Sequence, residues 1–491
     1  MIAKFVNDIW NDPQKGLMAL IGVQMTLWFF APLLSHSAPP LDVVEMYAWG
    51  RESVVATFKH PNLPGLVLEG IRRVTGQAFW PAFLVSQIFI GVTFWAVFAL
   101  GKELLDARRA LAGALLLCGI YFFSWPTPEF NHNVAQMPFW ALIALFLWRA
   151  IERGALLNWV LLGLFAGLSL WAKYSSLMLI APAGLWLLFD PKALATFKTP
   201  GPYVALIAFI AAAAPQALWL VDNNFAPFTY AADRSGNGGP VATFEFLALQ
   251  IANCLPFILI LWAAGLFKKK SADDPPSETI EKRTLAFLLA LSLGPLALTI
   301  LIGIAGSGLR TAWGAPMFNL LGLLAVALLR KQLTQSSLQR IGAGAAILLV
   351  LMPALYFAHM RFGAQISGKP LKGNWPQTAI TEQLKARWAA QTNNAPLRIV
   401  AGDIWTAGLV GMRDKNPPSI FIDADVRKSP WVNPERLNQD GVLVVWRTGS
   451  PPPARFAPMR PIAQYMTIPI KGAPKAKPVE LSYLIIPPAK P

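Results

Sequence analysis

A polytopic α-helical membrane protein with about eleven spans, followed by a small C-terminal mixed α/β domain, is the fold class this sequence predicts. Three observations predict it. Of 491 residues, 55% are hydrophobic and only 14% charged, against about 25% charged in soluble globular domains. Apolar runs of the length that crosses a bilayer recur almost to residue 360. Beyond them the chain turns polar and Pro-rich, and short β-like runs appear.

The spans are placed near 16–34, 81–100, 108–125, 133–149, 155–171, 175–189, 203–221, 245–267, 284–304, 313–330 and 340–357. The first follows Lys4 and Lys15 and leads into Ser35-His36-Ser37-Ala38-Pro39-Pro40, which is no small-residue cleavage site, so it reads as an uncleaved span. The pair at 155–189 is short and broken by Lys173-Tyr174-Ser175-Ser176. Lys and Arg concentrate in one alternate set of loops, around Lys102, Arg108, Arg109, Arg149, Arg153 and Lys268–Arg283. The other set holds Arg51, Lys59, Arg72, Arg73, Lys173, Arg234 and Arg310. The richer set is cytoplasmic by the positive-inside rule. The amino terminus is then inside, and the 35–80 loop and the tail face outward. The run Lys268–Arg283 reads as a solvated cytoplasmic linker.

The net charge of +16 is taken up by loops that orient spans, so no nucleic-acid partner is expected. Cys118 and Cys254 lie inside apolar runs and read as buried small hydrophobes. Residues 1–357 form the expected membrane domain. Residues 358–491 form the expected outer domain, with strand-like runs at 397–401, 419–422, 442–446 and 484–486 between turn-forming residues.

Polar chemistry concentrates in the outward loops. Asp42 and Glu45 stand at i and i+3 on an exposed loop, and share a face if the segment is helical. Two such carboxylates can deprotonate a hydroxyl or amine, or bind a divalent cation. The plainer reading is an interfacial amphipathic helix with solvated charges. Lys59 and His60 follow, in a turn stiffened by Pro61 and Pro64. A second loop carries Glu129 and His132 between prolines and asparagines. Its plainer reading is a turn capped by Asn131 or Asn133. Lys173, Arg234 and Arg310 form a basic set suited to phosphate oxygens, with snorkelling to lipid headgroups as the alternative. A divalent metal, if bound, would draw on Asp42, Glu45 and His132.

Four segments carry a resemblance. Leu-Asp-Val-Val-Glu-Met-Tyr-Ala-Trp (41–49) follows the first span. Lys-His-Pro-Asn-Leu-Pro (59–64), Ala-Lys-Tyr-Ser-Ser (172–176) and Gly-Leu-Arg-Thr-Ala-Trp-Gly-Ala-Pro-Met (308–317) come after it in order. Together they resemble the bacterial family-39-like glycosyltransferases, the protein mannosyltransferase and aminoarabinose transferase group with the type-C membrane fold. The resemblance covers about residues 15–330. It implies a polyprenyl-phosphate-linked sugar donor, a lipid, glycan or protein acceptor, membrane-lipid surroundings and a cell inner membrane location. It makes Asp42 the first candidate for the catalytic base and Glu45 the second. The family's frequent adjacent Asp-Glu is here an Asp and a Glu three apart. Lys59, His60, Lys173, Arg234, Arg310 and Glu129 are the candidates for donor-phosphate and substrate contact. A transporter or flippase of a lipid-linked sugar is the rival, and it would carry charges within several spans and paired half-repeats. A non-catalytic envelope-assembly scaffold is a second rival, and it would tolerate loss of both carboxylates.

Overall fold

The computed structural model describes residues 10–236, 238–267 and 280–489. Among them, six helices are long and apolar enough to cross a membrane: Pro13–Ser35, Trp80–Leu104, His132–Arg153, Gly201–Asp222, Lys282–Ile304 and Gln335–Ser367. The pair Pro240–Asn253 and Leu255–Ala263, bent by 47°, makes a seventh if counted as one span. The chain is a multi-pass membrane protein.

The remaining expected spans are helical but short. Leu156–Ala172 and Leu177–Phe189 flank a 3₁₀ turn at Tyr174–Ser176, where the sequence places the break. The stretch 108–125 folds as the ten-residue helix Ala107–Leu116 and two 3₁₀ turns, and 313–330 as the end of the 3₁₀ helix Thr311–Gly314, a run of turns and the eight-residue helix Leu321–Leu328. At 1.5 Å rise per residue the regular helices alone reach about 15 Å and 12 Å, and 3₁₀ and other turns carry the rest of each segment. Both helices are buried, packed together through glycine: a Cβ on Gly113 or Gly322 would strike the other helix's backbone. Most of the expected 268–283 linker lies outside the described residues. Its end is not solvated: Arg283 pairs with Asp190 at 2.8 Å and lies 4.4 Å from the Trp148 ring centroid.

The segment after the first span folds as two helices joined by a tight loop. Pro40 precedes the helix Leu41–Arg51, and Asp42 in its first turn suits the positive end of the helix dipole. A tight loop with a single bridge between Ala56 and Pro61 leads to the helix Leu63–Thr75. Asn62 is fully buried and ties the loop together, donating to the carbonyls of Trp49 and Val54 at 3.2 and 2.8 Å. The two helices meet at Gly50 and Gly65, so closely that a Cβ on Gly50 would overlap the Gly65 carbonyl.

The last apolar helix runs to Ser367, ten residues past the expected boundary at 357. After it comes a five-stranded mixed sheet, order β2-β1-β3-β5-β4. Its strands are β1 Ile399–Gly402, β2 Ser419–Ile422, β3 Val442–Arg447, β4 Gln464–Ile468 and β5 Val479–Ile486. β1 pairs in parallel with β2 and β3, while β5 pairs antiparallel with β3 and β4. Four of the five were legible as β-like runs. β4 was not, because it is a half-exposed edge strand whose sequence, Gln-Tyr-Met-Thr-Ile, has no continuous apolar run. The short helix Ile404–Gly408 seats this sheet on the helix Leu41–Arg51, with Gly408 against Val44.

Candidate active site

Asp42 is the point at which the segment after the first span and the 126–133 loop converge. Its backbone N–H donates to Glu129 Oε1 at 2.8 Å. Its carboxylate Oδ2 accepts from Asn131 Nδ2, also at 2.8 Å. Asn131 is held in turn, because its Oδ1 caps the helix His132–Arg153 by accepting from the N–H groups of Asn133 and Val134 at 2.9 and 3.1 Å. One asparagine thus starts a membrane helix and fixes the orientation of Asp42. The capped turn expected for this loop is present, and the capping side chain also holds Asp42.

Glu45 lies on the same helix but in a different setting. It is 5% exposed, not on an open surface as the sequence suggested. The reason is the 52–62 loop, which folds back and lays Lys59 over it. Lys59 Nζ donates to both Glu45 oxygens, at 2.9 and 2.8 Å. It also sits 5.8 Å from the Trp49 ring centroid. Burial pushes the Glu45 carboxyl up, and Lys59 offsets part of that shift. Burial opposes the Lys59 ammonium most strongly, but the Glu45 charge and hydrogen bond together with the Asp42 charge hold Lys59 above its ordinary value.

The other candidates fall into three groups. His60 and His132 stack, ring centroids 4.4 Å apart. His132 Nε2 lies 2.8 Å from the Pro61 carbonyl, so that nitrogen carries the proton. Burial, then His132 and the neighbouring lysines, pushes His60 well below its ordinary value, so it is neutral at pH 7. Lys173, at the break between two short helices, donates to Asn133 Oδ1 at 2.6 Å, beside the asparagine that holds Asp42. Arg310 donates to the Arg234 carbonyl at 2.6 Å, and both are exposed at the rim. Arg234 is near enough to Glu45 to lower its pKa.

Beside Asp42 and Glu129 opens a cleft of about 420 Å³, lined also by His36, Tyr121, Trp125, Tyr356 and Lys372. Glu129 lies well above the usual carboxylate range, first through burial and then through the Asp42 charge. His36 is pushed down to about 4 by burial. It is neutral, with Nδ1 donating to the Ala38 carbonyl and Nε2 accepting from Tyr356 OH, at 3.1 and 2.8 Å. Lys372 and Tyr356 carried no sequence signal, since each comes from a distant part of the chain, and Asn133 was visible only as an alternative helix-start residue. Asn131 was visible only as a helix-start residue.

The donors considered for a divalent cation do not form a set. Glu45 is held by Lys59, His132 Nε2 carries a proton, and Asp42 accepts from Asn131. Among the described residues, no group of three or more His, Cys, Asp or Glu comes together to hold a metal.

With this geometry in place, comparison with known proteins is decisive at the level of fold. Residues 59–219 match the family described as dolichyl-phosphate-mannose-protein mannosyltransferase, a stretch that includes Lys59, His60, Glu129, His132 and Lys173. The crystal structure of ArnT from Cupriavidus metallidurans bound to undecaprenyl phosphate superposes with a TM-score of 0.64. It is 15% identical and aligns over 95% of this chain and 97% of its own. This is a type-C membrane glycosyltransferase fold. The resemblance read from the sequence therefore holds. The apo form of the same ArnT gives a TM-score of 0.64 at 14% identity, over 96% and 98% of the two chains. The Archaeoglobus fulgidus oligosaccharyltransferase in complex with Zn and sulfate gives 0.47 at 14% identity, over 88% of this type-C chain and 68% of its own. No curated protein matches by sequence.

Proposed function

We propose that this protein is an inner-membrane glycosyltransferase that moves a sugar from a polyprenyl-phosphate donor to an envelope acceptor on the periplasmic side. Asp42 carries the reading: a half-buried carboxylate, oriented by Asn131, beside a cleft on one hand and the Lys59 and Lys173 cations on the other. The type-C fold and the mannosyltransferase match at 59–219 support it. In this reading the chain crosses the membrane about eleven times with its amino terminus in the cytoplasm. The loop 35–80 and residues 358–491 lie in the periplasm.

The acceptor enters through the cleft. Its hydroxyl or amine attacks the anomeric carbon as the bond from that carbon to the phosphate oxygen breaks. The proton passes to Asp42, and the electron pair leaves on the phosphate, already a stable anion. Asp42 takes the role of base ahead of Glu45, because both Glu45 oxygens are engaged by Lys59. Lys59, Lys173, Arg234 and Arg310 supply positive charge for the departing phosphate. His60 contributes as a neutral ring. Glu129, held mainly neutral, receives the Asp42 N–H and fixes the start of its helix.

The test is a mass spectrum of envelope lipids and glycans from cells carrying the wild-type chain, a deletion or the Asp42→Asn variant. A sugar-sized mass lost in both the deletion and the variant is expected and identifies the sugar. A mass lost in the deletion but kept in the variant removes Asp42 from the role. No change in either removes the transferase reading.

A further inference from the structure

The end of the bundle opposite the candidate site carries a second built feature. The helix His132–Arg153 has His132 at the site and Arg153 at its far end, about 30 Å away. There a groove of about 500 Å³ opens between the helices Pro13–Ser35, Trp80–Leu104 and His132–Arg153. One wall is apolar: Leu17, Met18, Trp95 and Phe98. Met18 and Trp95 are 64% and 43% exposed on the outside of the bundle, where hydrocarbon would surround them.

The groove's other end is basic. Arg149 Nε and Arg153 Nη2 both bind Glu103 Oε1, at 2.6 and 2.8 Å. Lys102 adds an exposed ammonium 5.8 Å from the Phe98 ring centroid. Three cations against one carboxylate leave an excess of two positive charges. The roles differ by depth. Arg149 is 20% exposed and serves the ion pair, whereas Arg153 is 55% exposed and still presents guanidinium edges outward. From Trp95 to Lys102 the wall runs about 10 Å along the helix axis. Apolar surface at membrane depth therefore leads into a positive cluster at the helix ends. That is the complement of one lipid: an anionic head above an acyl chain. A zwitterionic head would bring a second cation to the cluster.

We propose that this groove holds an anionic phospholipid, its phosphate on Lys102 and Arg153 and an acyl chain along Trp95, Phe98 and Met18. The site is separate from the proposed transferase site and does not rest on that reading.

The full chain is purified in neutral detergent with equal amounts of phosphatidylglycerol and phosphatidylcholine, and retained lipid is read by native mass spectrometry. Wild type is expected to retain phosphatidylglycerol preferentially. Lys102→Gln and Arg153→Gln should each weaken that retention about fivefold, the equivalent of about 1 kcal/mol per basic residue at an anionic surface. Trp95→Ala should weaken it as well. Lys102→Gln leaves the Glu103 ion pair intact, so its unfolding temperature in lipid-free detergent should match wild type and separate lipid loss from misfolding. Equal retention of the two lipids by wild type overturns the proposal. So does unchanged phosphatidylglycerol retention in both charge variants.

Discussion

Asn131 does two jobs with two atoms, and its substitutions separate them. Asn131→Asp keeps an oxygen to cap the helix His132–Arg153 but replaces the donor to Asp42 with a second carboxylate. We expect near-normal stability and loss of most transfer activity, read by in vitro transfer and thermal unfolding side by side. Asn131→Ala should lose activity and also about 1 kcal/mol of stability from the missing cap. Glu129 makes a pH prediction. Its pKa is raised in the fold, so the folded state holds a proton that the unfolded state releases near the ordinary value of 4.5. Stability must then fall as pH rises above 4.5 toward the raised folded value. Glu129→Gln keeps an oxygen for the Asp42 N–H and removes that titration. Its thermal midpoint should exceed wild type at alkaline pH, with the advantage shrinking toward pH 4.5. An identical pH profile for the two proteins would sink the assignment.

At the scale of elements, the segment 41–75 works as a clamp. The helices Leu41–Arg51 and Leu63–Thr75 are pressed together at Gly50 and Gly65, and the turn between them delivers Lys59 onto Glu45. The Lys59 side chain is 23% exposed and that of Glu45 7%, so breaking the pair leaves a charge stranded in a poor solvent. Lys59→Met alone should cost about 3–5 kcal/mol. The double variant Glu45→Gln with Lys59→Met should recover most of that stability by denaturation and recover little transfer activity. Full recovery of activity would show the pair to be only structural. Gly50→Ala should destabilise the chain more than an ordinary helix substitution, because the new methyl meets the Gly65 backbone rather than a side chain that can turn away.

At the scale of the molecule, the sheet at the carboxy-terminal end is mechanically joined to the candidate site. Gly408 rests on Val44, two residues from Asp42. Arg72 donates to the Lys415 carbonyl at 3.2 Å, and Arg413 to the Ser37 carbonyl at 3.0 Å. A bulky residue at 408 would push the helix Leu41–Arg51 away from Asn131 and Glu129. Gly408→Val is therefore expected to lower transfer at least tenfold while the chain still inserts and purifies, although residue 408 contributes no polar group to the site. Wild-type turnover in that variant would uncouple the sheet from the site.

The membrane class, the order of the apolar segments, the break at 173–176 and most of the strands could be read from the chain, because hydropathy and turn chemistry act locally. So could the residues worth watching, since a charged group beside a span is costly and conspicuous. Which of them meet could not. Asp42 and Asn131 are 89 positions apart, and Lys59 covers Glu45 only because Asn62 ties its loop back upon the preceding helix. That the segments 108–125 and 313–330 carry only the short regular helices Ala107–Leu116 and Leu321–Leu328, packed on each other, could not be read either, because hydropathy does not distinguish a regular helix from apolar turns. Local chemistry selected the candidates. Burial and long-range hydrogen bonding, which exist only once the chain has closed on itself, separated the carboxylate held by Asn131 from the one paired with Lys59.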